Sequence, residues 1–110
     1  MQTDKNIELE SGEFLIRHNK GKTEFNLVDF DFVAEMAKVM MFGRDVKGYP
    51  EGNWKKPFKN PNDVDNSRIR HCLADLQGEI FDSESGLSHL AHEAVNCMIK
   101  YYQIKKSLVK

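Results

Sequence analysis

Apolar side chains recur at helical spacing in three stretches of this chain, and polar punctuation separates them. In the first, Phe30, Val33, Ala34, Ala37, Met40 and Met41 follow the i, i+3, i+4, i+7 series of a core-facing helix. Phe32, Met36 and Val39 carry apolar surface most of the way round, leaving only Asp31, Glu35 and Lys38 as a polar wedge. Such a helix is expected to be buried on several sides. Asp29 predicts its N-cap and Gly43 its end near Phe42-Gly43. The second helix is predicted from Asp65 or Asn66 to Gln77-Gly78, with Ile69, Cys72, Leu73 and Leu76 as its buried stripe. Arg68, His71, Asp75 and Glu79 fall on another face. The third runs from Leu87 to about Ile104, burying Leu87, Leu90, Ala91, Ala94, Val95, Met98 and Tyr102.

The connections are of different kinds. Residues 44–64 read as a long loop, because Pro57 and Pro61 interrupt any helix and Pro50 and Gly52 suit a turn. Tyr49, Trp54 and Phe58 argue that this loop is ordered. Residues 1–12 read as a polar tail, Glu13–Arg17 as a short strand, and residues 13–110 as one domain. The fold class predicted is therefore all-α, a small bundle of three main helices. The apolar excess of the first helix exceeds what a three-helix monomer needs, so a homodimer or higher homo-oligomer is expected to complete the bundle.

Composition narrows the classes. With 16 basic and 17 acidic residues the net charge is −1, so nothing global draws the chain to nucleic acid or to an acidic membrane. No stretch approaches the ~20 apolar residues of a membrane span. The polar, acidic start resembles neither a signal peptide nor a transit peptide. Cys72 and Cys97 lack metal-site spacing and are expected to be reduced, buried thiols of a cytoplasmic protein.

The candidate chemistry concentrates in residues 78–96. His89, His92, Glu93 and Asn96 form one stripe on the third helix, and helical geometry lets their heads converge on a ligand or ion. Glu79, Asp82 and Glu84 add carboxylates just before it, a donor set suited to Mg²⁺ or Mn²⁺. An ordinary solvated helix face would show the same stripe. Glu35 is expected to be partly buried, opposite either a cation site or Lys38. His71 and Asp75 are spaced to pair. Arg17, Lys20 and Lys22 surround Gly21 without P-loop spacing, yet within reach of a triphosphate. Trp54 is placed either to stack on a base or to plug the core.

Several of these segments, taken in order, resemble one family. They are Lys20-Gly21-Lys22, Phe42-Gly43, Lys47-Gly48-Tyr49, Gly52-Asn53-Trp54, Arg70-His71, Gly78-Glu79, the block Asp82-x-Glu84-Ser85-Gly86-Leu87-Ser88-His89-Leu90-Ala91-His92, and Asn96. Together they resemble the dATP/dGTP diphosphohydrolase N-terminal domain family, whose small and often phage-encoded members look related to the MazG-like all-α pyrophosphohydrolases. The resemblance implies an oligomeric, Mg²⁺-dependent enzyme that splits nucleoside triphosphates between the α- and β-phosphates. By that resemblance Glu35, Glu79 and Asp82 are the metal-ligand candidates, and Glu35, Glu79, His89 and His92 the catalytic ones. His71 and Asn96 would contact substrate, with Lys20 and Lys22 at the phosphates and Trp54 near the base. The MazG-like pattern carries ExxE on one helix and ExxD on the next. Here Glu35-x-x-Lys38 places a cation where the second glutamate would stand, and Glu79-x-x-Asp82 keeps the second motif at a helix end. A weakened metal site would make the chain a nucleotide-sequestering binder, which is the alternative function.

Overall fold

Asp29 opens the first helix, its carboxylate accepting the Asp31 N–H at 3.2 Å. From there the computed structural model, which describes residues 14–108, runs through three helices. They are α1 (Phe30–Asp45), α2 (Asn62–Leu76) and α3 (His89–Leu108), with 3₁₀ turns at Phe25–Leu27 and Asn53–Lys55. The architecture is the all-α one predicted. The tail predicted over residues 1–12 lies outside the described residues, as does Glu13 of the predicted strand. Residues 14–17 form no strand, and among the described residues the only β pairing is an isolated bridge between Phe81 and Ser88. No described helix is long and apolar enough to cross a membrane.

The helix ends depart from expectation for local reasons. α1 runs through Gly43 to Asp45. Gly43 is there for close approach: a Cβ on it would meet the Tyr49 ring at 3.3 Å, and its carbonyl accepts the Tyr49 N–H at 3.0 Å. α2 starts three residues earlier than Asp65, since Pro61 stands at the N-cap, where a fixed φ costs nothing. Asn60 Oδ1 accepts the Asn62 N–H at 3.0 Å. Lys105 and Lys106 fall in the last turn of α3, which continues to Leu108.

α3 is the organising element, packed against both α2 and α1. The core is small: Val39 of α1 meets Ala91 and Val95 of α3, with Phe32, Met36, Met40, Leu87 and Ile99 around them. Ala91 is fully buried, and its small side chain lets α1 approach α3 closely. The apolar stripe predicted on α3 is buried at Ala91 and Val95 and half-buried at Leu87, Ala94, Met98 and Tyr102, whereas those of α1 and α2 are largely exposed. Phe30, Val33 and Met41 of α1, Ile69, Leu73 and Leu76 of α2, and Leu90 of α3 are exposed, and Val39 is the one buried residue of α1. Both thiols are free, but neither has the expected burial: Cys72 is half-buried and Cys97 exposed. On α2 the buried residue is Val64, and the contacts between α2 and α3 side chains include polar ones from His71, Ser67 and Asp65.

Candidate functional site

The last turn of α2 sets the first side of the site. Gly78 takes φ +97°, a left-handed conformation that glycine adopts without a Cβ penalty. Its N–H donates to the Asp75 carbonyl at 2.9 Å and that of Glu79 to the Ala74 carbonyl at 2.9 Å, the paired bonds of a Schellman stop. Glu79 leaves this stop in a fixed position.

A tight loop then returns the chain to α3. The Asp82 N–H donates to the Leu87 carbonyl at 2.8 Å, that of Gly86 to the Asp82 carbonyl at 2.7 Å, and that of His89 to the Ile80 carbonyl at 3.0 Å. Within the loop the Ser85 N–H donates to Asp82 Oδ2 at 2.8 Å, and Ser85 Oγ accepts the Leu87 N–H at 3.1 Å. Ser88 caps α3, its hydroxyl oxygen accepting the Leu90 N–H at 3.0 Å. The ESGLSHLAH block thus folds into a loop, a cap and the first turn of a helix.

Three imidazoles meet beneath this loop. His71 of α2 and His89 of α3 bring their Nδ1 atoms to 2.8 Å. His71 lies flat on His92, ring centroids 4.3 Å apart and planes within 6°. His92 Nε2 lies 2.8 Å from Ser85 Oγ. His89 Nε2 lies 3.1 Å from Glu79 Oε1, and His89 is only 3% exposed. The solvated-face reading of the α3 stripe therefore fails at His89, and the stripe turns inward.

Burial, reinforced by His92 and His89, pushes His71 down to about 4. Burial also lowers His92, opposed by Asp82 and helped by His89 and Lys47. Burial alone would raise the Asp82 carboxyl, but hydrogen bonds from Ser85 and the neighbouring imidazoles outweigh it and hold it below its ordinary value. At neutral pH the site therefore offers neutral His71 and His92 rings beside an ionised carboxylate. Those are the protonation states in which such side chains ligate metals.

His71, Asp82 and His89 each place a ligand atom within 4.8 Å of the others, a grouping that fits one divalent cation. Two nitrogens and a carboxylate oxygen are donors for Mn²⁺ or a neighbouring transition metal more than for oxygen-seeking Mg²⁺.

The cluster lies on the wall of a cavity of about 1080 Å³. His71, Asp82, His89, His92 and Asn96 line it together with Trp54, and Lys47, Lys56, Lys59 and Arg70 supply cations. Of the candidate site residues singled out in the sequence, these six are brought together, and Glu84 joins them on the cavity wall. The others are placed elsewhere. Glu79 stands behind His89 and does not line the cavity. Glu35 binds Lys38 at 2.9 Å and is also absent from the lining. Lys20 and Lys22 are exposed and outside it. His71 pairs with His89 rather than with Asp75. Asn96 donates to Ser67 Oγ at 3.0 Å. Trp54 meets Tyr102 edge-on at 5.0 Å, and Gln103 of α3 holds its turn by donating to the carbonyls of Trp54 and Lys56. It is thus a partial plug that also faces the cavity. Sequence reasoning passed over Ser85 and Lys47, although both stand inside segments that carried the resemblance. Lys47 pairs with Glu84 at 3.4 Å across the cavity wall.

The profile of the dATP/dGTP diphosphohydrolase N-terminal family matches residues 15–109, nearly the whole chain. No curated protein and no solved structure matches it.

Proposed function

Because the chain belongs to the dATP/dGTP diphosphohydrolase N-terminal family, we propose that it hydrolyses purine (deoxy)nucleoside triphosphates to monophosphate and pyrophosphate with a divalent metal. The observation that carries this reading is the convergence of His71, Asp82 and His89 on one wall of a cation-lined cavity. His71, Asp82 and His89 would hold the metal, which when bound neutralises phosphate charge and makes water a nucleophile near neutral pH.

The chain's own residues do the rest. Lys47, Lys56, Lys59 and Arg70 are placed to receive the triphosphate within the cavity. Ser85 holds His92, and the flat stack of His92 on His71 fixes the His71 ring plane. Trp54 supplies a face for a purine at the cavity wall. Arrangement of these groups before substrate arrives lowers the orientational cost of the reaction. A homodimer in the cytoplasm accompanies this reading, supported by the apolar residues left exposed on α1, α2 and α3.

The test is to incubate the protein with ribo- and deoxynucleoside triphosphates, without metal and with Mg²⁺ or Mn²⁺, and to separate the products by chromatography. Monophosphate and pyrophosphate in the metal arms alone are expected, with Mn²⁺ the better activator. A nucleotide recovered intact from a stable complex would mark the chain as a sequestering protein instead.

A further inference from the structure

The Glu79 carboxylate has a more specific task than ligation. We infer that Glu79 is a positioning residue: it holds buried His89 in the tautomer protonated at Nε2, so that the Nδ1 lone pair faces His71. The inference rests on the metal-site reading above and refines the part that one carboxylate plays in it.

Three observations carry it. Glu79 Oε1 lies 3.1 Å from His89 Nε2, the nitrogen remote from the cluster. An ionised carboxylate has no proton to give, so Nε2 must carry the hydrogen of that bond. His89 Nδ1 lies 2.8 Å from His71 Nδ1, so the opposite edge of the ring is turned into the cluster. The ring is 3% exposed, which leaves water little access to supply an alternative partner for Nε2. Glu79 is fixed in turn by the stop at Gly78, whose φ of +97° directs the chain out of α2. Among the described residues Glu79 takes no place on the cavity wall, so the carboxylate sits behind the ligand rather than beside the metal.

The arrangement is that of a carboxylate, a histidine and a metal in line. An outer carboxylate of this kind orients the ring and raises its basicity. It also fixes the donor of the short contact between the imidazoles without metal. With Nε2–H committed to Glu79, neutral His89 accepts at Nδ1 and His71 donates from its own Nδ1. Were both Nδ1 lone pairs used to hold a cation, that bond would be given up and His71 would carry its hydrogen at Nε2. The proton count of the pair is unchanged.

Two-dimensional ¹H–¹⁵N spectra of the imidazoles, which separate the tautomers by nitrogen shift, test this on the metal-free protein. Mn²⁺ and Zn²⁺ titration by calorimetry then reads the consequence. In the unaltered chain His89 is expected wholly in the Nε2–H form. In Glu79→Ala that preference is expected to be lost and metal affinity to fall about 10–100-fold. In Glu79→Gln, whose amide oxygen still accepts, the tautomer and most of the affinity are expected to return. His71→Ala, which removes a ligand, is the reference for complete loss of binding.

A His89 tautomer unmoved in Glu79→Ala would overturn the inference. So would a Glu79→Gln chain as defective in binding metal as His71→Ala, since that is the behaviour of a direct ligand. Circular dichroism and melting of each variant separate these outcomes from misfolding. If the unaltered chain takes up neither metal, the metal reading itself fails, and the tautomer spectra still decide what Glu79 does to His89.

Discussion

The two sides of α3 are made differently. Its inward stripe carries His89 and His92, each with a defined partner for a ring nitrogen, and Asn96, bonded to Ser67. Its outward side carries Leu90, Tyr101, Ile104 and Leu108, exposed by about half or more. The usual distribution of polar and apolar residues is partly inverted. Apolar burial stabilises by about 25 cal/mol per Å², and much of the apolar area here is not used inside the chain. Polar atoms in the interior cost stability unless each finds a partner, and most here have found one. The inward side thus converges on a cavity, and the outward side leaves its apolar surface uncovered.

The sharpest way to break the inward side is His71→Ala. Metal-dependent hydrolysis is expected to drop to background, and calorimetric titration with Mn²⁺ to show no binding. Next is Ala91→Leu. Ala91 is fully buried where α1 crosses α3, so the added carbons have no room. Overpacking of this kind costs about 1–3 kcal/mol. For a domain of this size each kcal/mol corresponds to a fall in Tm of roughly 4–8 °C, which calorimetry would read. Gly86→Ala should cost about 1–2 kcal/mol, because φ at Gly86 is +75° and L side chains are strained there. It should also weaken metal binding, since Gly86 closes the loop that carries Asp82.

Acid should act on the same side. Burial, with His92 and His89, sets the folded His71 at about 4, against an ordinary 6.5 in the unfolded chain. Between those values the unfolded state binds the proton and the folded state does not. Stability of the metal-free protein is therefore complete above about 6.5, falls as the pH drops toward 4, and levels off below that as far as His71 is concerned. Melts across this range should show the slope, and His71→Gln should flatten it. The smallest effect on folding belongs to the outward side. The double variant Ile104→Lys and Leu108→Lys should change monomer stability by no more than about 0.5 kcal/mol. By light scattering it should nevertheless convert a dimer into a monomer.

The helices were legible because their signals are local: the Asp29 cap, the glycine after Gln77 and the periodic Leu, Val and Met positions all act within a turn or two. The direction in which α2 and α3 face each other was not. Leu73 and Leu76 read as core on spacing alone, and only the packing of two helices shows that His71 takes the inner position. The site was half legible for the same reason. Periodicity collects His89 and His92 on one face, but their union with His71 is a contact across 18 residues of chain. Glu35 illustrates the converse. Its short bond to Lys38 is the local alternative that helical spacing already offered.

The tight connection between α2 and α3 bears on which changes of length this chain can survive. Gly78, Asp82, Ser85 and His89 are held by backbone bonds that span fixed numbers of residues. One residue added between them would move Asp82 and His89 by different amounts and turn one of the two away. The link between α1 and α2 contributes to the cavity mainly through its wall, so additions at its exposed turn near Glu51 leave the cluster intact. Natural variation in chain length within such proteins should accordingly gather before α2 and be purged after it.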